Sequence, residues 1–235
     1  MEEIVKNIRD YCIANANPEL VKKYSRYFKE GYDAYGLNSE QMQTKTASLL
    51  SEYKLSAKQV LELGNILFQS GKYEEGTFAI VLLQKLKKEF LPETLNGIGK
   101  WYENGINNWA HNDVICSELI SPLLIKGIVS VDDLSAWRSS TFRFKRRAVP
   151  VSLIKLAKTN KNIPELLAFI EPMMKDDERV VHQGLGWFLR EAWKIDPEPV
   201  EAFLLKWKDI SARLIFQYAT EKMTKENKER FRKSK

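Results

Sequence analysis

Histidine and cysteine are scarce in this chain, with two of each in 235 residues. His111 and His182 alone leave histidine-based metal centres and most nucleophile triads without their parts. Cys12 and Cys116 are too few for a disulfide framework and lack metal-ligand spacing. Neither a metal nor a cofactor is therefore expected. Long apolar runs are missing as well. The stretch 78–83 is among the longest, far short of the roughly 20 residues that span a bilayer. The opening MEEIVKNIRDYC has no apolar core of the kind a secretory signal carries. No membrane partner is expected, and the cytoplasm is the expected compartment. Walker-type loops, dinucleotide glycine motifs, HExxH and nucleophile elbows are absent. Period-two alternation is absent too. The pair Asn104 and Gly105 follows a helical stretch and reads as a helix C-cap rather than a hairpin turn. Negligible sheet content is therefore expected.

What is present is an ordinary globular balance, 44% hydrophobic and 29% charged, which argues against disorder. The net charge is +6 and the isoelectric point about 9.1. Part of the excess lies in a basic tail at 222–235, which by itself reads as a solvated terminus. The remainder suits a polyanion such as nucleic acid.

Helical periodicity runs almost throughout. Ile4, Val5, Ile8, Tyr11 and Cys12 mark one face of a first helix. Val60, Leu63, Gly64, Leu67 and Phe68 mark another, as do Val180, Gly184, Trp187, Phe188, Glu191 and Ala192. Breaks at Pro18, Gly36, Ser56, Gly71, Pro92, Gly105, Asp132, Pro164, Asp176 and Pro197 are short and evenly placed. None is long enough for a linker, so one domain over 1–235 is expected. Pro164, Pro197 and Pro199 fall where first turns begin, and there a missing N–H costs nothing.

Three segments share an outline: GKYEEGTFAIVLLQKLKK from Gly71, SSTFRFKRRAVPVSLIKLAK from Ser139 and DDERVVHQGLGWFLREAWK from Asp176. Each has a polar start, a small-and-apolar middle and a basic end. The last two lie roughly 36 residues apart and the first about twice that before the second, a period typical of helix-pair repeats. The expected fold is all-α: a HEAT-like α-α superhelix, a solenoid of antiparallel helix pairs whose second helices line a concave, binding face. Nothing in the sequence calls for an oligomer, and a monomer is expected.

Six tryptophans stand out, some beside charge. Trp109 and Asp113, at i and i+4, share a helix face, and Trp187 and Arg190 do so at i and i+3. Arg146 and Arg147 fall between them in sequence. The steps from Trp109 to Arg147 and on to Trp187 are each close to one repeat, which on a solenoid sets these residues side by side. The plainer alternative is core packing for each indole, with Asp113 a capping carboxylate and Arg147 a surface charge.

The segment NNWAHNDVICSELISPLL resembles the tryptophan-to-aspartate motif of the AlkD family of alkylpurine DNA glycosylases. YFKEGYDAYGLNSEQMQ, from Tyr27, resembles that family's N-terminal aromatic–glycine–loop–helix signature. RRAVPVSLIK resembles its arginine helix, and VVHQGLGWFLREAWKIDPEPVEAFL its tryptophan helix. Together they span most of the chain in the family's order. The resemblance implies a HEAT-like fold and excision of cationic N3- or N7-alkylated purines from double-stranded DNA, without a deep base pocket. It implies that Asp113 is the catalytic carboxylate and that Trp109 and Trp187 flank the lesion's sugar and backbone. It further implies DNA contacts from Arg147, Tyr27, Lys155 and Arg190. Asn38 stands where the family usually has a glutamine, Ala110 where it often has an acid, and Pro150 interrupts the arginine helix. That interruption leaves Arg146 and Arg147 as alternative counterparts of one arginine. These departures leave two other readings: a non-catalytic DNA-binding protein and a protein-interaction scaffold. The scaffold reading expects Trp109 and Trp187 in the core.

Overall fold

A computed structural model of the chain describes residues 1–233. Among them there is no strand, and no helix is long and apolar enough to cross a membrane. The described residues fall into two compact units, Met1–Ile115 and a second beginning at Cys116.

The first unit comprises α1 (Glu2–Ala14), α2 (Pro18–Ser25), α3 (Ser39–Tyr53), α4 (Ala57–Gln69), α5 (Tyr73–Lys85), α6 (Pro92–Asn104) and α7 (Trp109–Ile115). Its helices start where side chains can satisfy orphan N–H groups. Asn17 accepts from Glu19 and Leu20, and Ser56 exchanges bonds with Gln59 in a capping box. Pro18 and Pro92 open first turns. Gly105 closes α6 at φ +146°, with the Phe68 carbonyl so near that a side chain there has no room. The expected apolar faces are the buried ones: Ile4, Val5, Ile8 and Cys12 in α1, and all five named residues of α4. α4 packs between α5 and α6, while α3 and α7 rest on α5. At the α4–α6 contact Gly64 leaves space for the Trp101 indole, whose Nε1 donates to the Leu61 carbonyl at 3.0 Å. Cys12 is wholly buried. Burial first, and then the charges of Glu74 and Glu75, push its thiol up to about 12.

The second unit opens with a π-helical turn, Cys116–Ile120, and α8 (Ser121–Ile125). A 3-10 helix, Asp132–Ser139, occupies what the sequence offers only as a break. Then come α9 (Arg143–Asn160), α10 (Ile163–Ile170), a 3-10 turn (Glu171–Lys175), α11 (Arg179–Trp193), α12 (Pro197–Trp207), α13 (Arg213–Ala219) and α14 (Lys225–Arg230). α11 is the centre of this unit, packed on α9 and α13. Gly186 permits the second contact, since a Cβ there would fall 2.5 Å from the Tyr218 Cβ and 2.6 Å from the Ile215 carbonyl. Pro150 does not end α9, which continues through it for a further ten residues to Asn160.

Much of the basic tail is ordered. Thr224 caps α14, Met223 and Phe231 are buried, and Arg230 pairs with Glu201 at 2.7 Å. The tail's residues 234 and 235 lie outside the described residues.

Candidate active site

α7 carries the motif's chemistry, and its first turn is fixed from several sides. Asn108 accepts from the His111 backbone N–H at 2.9 Å through its side-chain oxygen. The His111 ring is buried and lies parallel to Tyr73, with centroids 4.4 Å apart. Its Nε2 faces the Tyr73 carbonyl at 3.1 Å and the Thr77 hydroxyl at 3.0 Å, while Nδ1 faces the Asn108 amide nitrogen at 3.1 Å. A carbonyl only accepts and an amide nitrogen only donates, so these partners select the neutral Nε2–H tautomer. Burial lowers the imidazole pKa to about 4, with the bond to Tyr73 opposing.

One helical turn separates Trp109 from Asp113. Trp109 is 47% exposed. Its Nε1 donates to the Tyr27 carbonyl at 3.3 Å, and its ring stacks on Phe28 at 5.8 Å and 19°. Phe28 stacks in turn on Tyr32 at 4.6 Å and meets Tyr73 edge-on at 5.5 Å. Asp113 is half-buried, and its Oδ1 accepts from the Asn112 amide at 2.8 Å. Asn112 is fully buried and itself accepts from the Tyr102 hydroxyl at 3.2 Å. A phenol, an amide and a carboxylate thus form a short relay that fixes the orientation of Asp113.

Tyr27 is exposed, and its hydroxyl accepts from Arg26 at 2.8 Å. Asn38 is the N-cap of α3: its side chain accepts from the Gln41 backbone N–H at 2.9 Å, and its own backbone N–H donates to the Gln41 side-chain oxygen at 2.8 Å. The structure therefore brings Trp109 and Tyr27 into contact and gives Asn38 a structural role of its own.

The remaining site residues belong to the second unit. Trp187 is half-buried on α11. Arg146 holds Asp176 through two bonds, at 2.6 and 3.2 Å, and also donates to the Ser140 carbonyl at 2.7 Å. Arg147 is buried against α11 and donates to the Val180 carbonyl at 2.8 Å. Lys155 donates to Glu118 and to the Ser117 carbonyl, both at 2.9 Å. Arg190 pairs with Glu191 and Glu221. Burial would raise the Glu191 pKa. Bonds from Lys194 and Arg190, with the nearby Lys158 charge, nevertheless hold it below the usual carboxylate range.

Sequence reasoning missed Phe28, Tyr32, Tyr73, His111 and Asn112. The aromatic run YFKEGY was visible, but not that its rings support Trp109. Tyr73 lies too far away in sequence to be linked to α7 by periodicity.

A profile of the DNA alkylation repair enzyme family matches residues 8–223. No curated protein sequence matches the chain. Among solved structures, one from Enterococcus faecalis, described as a predicted DNA alkylation repair enzyme, is 18% identical with a TM-score of 0.75. The alignment covers 90% of this chain and 98% of that one. AlkD2 from Streptococcus mutans is 18% identical with a TM-score of 0.60, over 87% and 99% of the two chains. A further protein of Streptococcus mutans UA159 is 19% identical with a TM-score of 0.60, over 88% and 98%. These likenesses fix the fold as an all-α helical repeat, in agreement with the period read from the sequence. With the profile spanning nearly the whole length, the chain belongs to the DNA alkylation repair enzyme family.

Proposed function

We propose that this protein is a DNA glycosylase that hydrolyses the N-glycosidic bond of cationic N3- and N7-alkylated purines in duplex DNA, with 1–235 acting as one repeat domain. The observation that carries the reading is the face of α7. It offers a half-exposed indole one turn from a carboxylate whose orientation is fixed. An alkylated purine already bears positive charge and leaves with little acid assistance. As its bond to the sugar breaks, positive charge develops on the deoxyribose. Asp113 stabilises that oxocarbenium-like state and orients the attacking water, as carboxylates do in glycoside hydrolysis. The Trp109 face adds cation–π attraction of about 1 kcal/mol, and more when desolvated. Trp187 is assigned to the sugar and backbone. Tyr27, Asn38, Lys155, Arg190 and the Arg146–Arg147 pair are assigned to the DNA strands.

The test is release of free 7-methylguanine from a methylated duplex. The protein should release it, and Asp113→Asn should nearly abolish release while duplex binding persists. Absence of release from any cationic alkylpurine at high protein excess would end this reading.

A second reading, a non-catalytic duplex binder, draws on the cap role of Asn38 and the internal partners of Lys155 and Arg190. It predicts salt-sensitive binding with no base release. The scaffold reading fares worse, because it expects Trp109 in the core and that indole is 47% exposed.

A further inference from the structure

In the second unit one arginine lies between two carboxylates of opposite character. Arg190, on α11, donates its Nε to Glu191 at 3.2 Å and an Nη to Glu221. The Glu191 side chain is only 10% exposed, and two further cations converge on it. Lys194 Nζ lies at 2.8 Å and Lys158 Nζ, from α9, at 3.4 Å. A buried carboxylate is costly to hold unless it is paired, and three cations from two packed helices meet that need. Glu221 follows α13, and its side chain is 46% exposed. It also pairs with Lys222 at 3.0 Å.

The two carboxylates differ in how an incoming anion can displace them. Displacing Glu191 strands a negative charge in the interior and releases three cations at once. Each cation then regains rotamer freedom that a complex must remove again. Displacing Glu221 costs little, because an exposed pair is weak and Lys222 keeps the carboxylate partnered after Arg190 has left it. A phosphodiester oxygen makes the same kind of bond to a guanidinium as the Glu221 carboxylate does. Lys158 and Lys194 are half-exposed beside Arg190, so their charges add to the attraction for such an anion.

We propose that the two glutamates divide the control of Arg190 between them. Glu191 is a positioning residue that gathers Arg190, Lys194 and Lys158 into one seat for a backbone phosphate. Glu221 fills that seat in the free protein and turns to Lys222 when the strand arrives. The proposal rests on the assignment of Arg190 to a DNA strand, while the division of roles rests on the burial and partners of the two carboxylates. Charge counting gives a different answer. Two negative charges near a phosphate should each weaken binding, so the loss of either should strengthen it. The division of roles instead gives the two losses opposite signs.

The experiment titrates a labelled, unmodified duplex with the full chain at fixed low salt, following binding by fluorescence anisotropy. Glu221→Gln should bind about threefold more tightly. Glu191→Gln, which keeps the side chain's shape, should bind about tenfold more weakly. Arg190→Ala should also weaken binding, and in that background Glu221→Gln should change nothing further. Thermal unfolding of each variant separates lost positioning from lost fold. Should Glu191→Gln fail to fold, the exposed Glu221 and its cycle with Arg190 still decide the matter. Unchanged or tighter binding by a folded Glu191→Gln would overturn the proposal. So would a Glu221→Gln that binds no more tightly, or one whose gain persists without Arg190. Full affinity in Arg190→Ala would remove the seat and leave base release, and with it the glycosylase reading, untouched. The expected opposite signs in a protein that releases no base would end the glycosylase reading and leave the seat.

Discussion

Asp113 is preceded in the chain by the residue that orients it. Asn112 spans the distance between the Tyr102 hydroxyl and the Asp113 carboxylate, so substitutions at 112 should affect the chemistry more than binding. Asn112→Ser is expected to slow single-turnover base release by about tenfold, a loss of roughly 1.4 kcal/mol in transition-state stabilisation, with duplex affinity unchanged. Asn112→Asp sets a second carboxylate against the first. The pair then resists double ionisation, and the acid limb of the pH–rate profile should move upward relative to the parent protein. A purely structural Asn112 would leave that profile in place. His111 makes a different prediction. Its pKa is about 4 in the fold, against 6.5 for the free group. Between those values the unfolded chain binds a proton that the folded chain does not, so stability falls as pH drops through the window and levels off below it. The full loss approaches roughly 3 kcal/mol. Urea midpoints at about pH 7 and about pH 4.5 should differ more for the parent protein than for His111→Gln. Neither role was legible in the sequence, where one reads as a bland polar residue and the other as a stray histidine.

At the scale of helices the sequence was far more informative. Ser56, Pro18, Pro92 and Gly105 announce starts and stops because capping depends on near neighbours alone. The faces of α1 and α4 follow from spacing for the same reason. What spacing could not tell was which way a side chain turns when both sides of a helix are covered. α11 packs on both α9 and α13, yet Val180 and Trp187, on its expected apolar face, are only half-buried. The 3-10 helix at Asp132–Ser139 was missed because it has no 3.6-residue period to detect. Gly186, inside α11, is a point of contact with α13. Gly186→Ala should destabilise the protein by about 1–3 kcal/mol, since α11 must move off α13 to admit the methyl group. Thermal unfolding would record this, and an unchanged midpoint would contradict the packing described here.

For the molecule as a whole, charge and family were readable from the start, whereas the assignment of single cations was not. A net charge of +6 fits a protein that works on DNA. The cations assigned to the strands nevertheless have partners in the free protein, as Arg146 with Asp176 shows. A phosphate must therefore displace a carboxylate from Arg146, Lys155 and Arg190 or accept from the buried Arg147. Those four residues can contribute a slope of at most about −4 to log affinity against log salt, each phosphate counting about −0.9. Duplex binding measured across a salt series should fall within that limit plus whatever the tail adds. Affinity independent of salt would exclude these contacts altogether.

The two cysteines give the protein a further property. The electrophiles that alkylate purines also alkylate thiolates, so a repair protein is exposed to the chemistry it corrects. With its thiol pushed up to about 12, Cys12 keeps only about one thiol in a hundred thousand ionised at neutral pH. Cys116 is buried as well, its Sγ directed at the Ala148 carbonyl at 3.6 Å. Packing that fills the core thereby also keeps both thiols away from solvent-borne electrophiles.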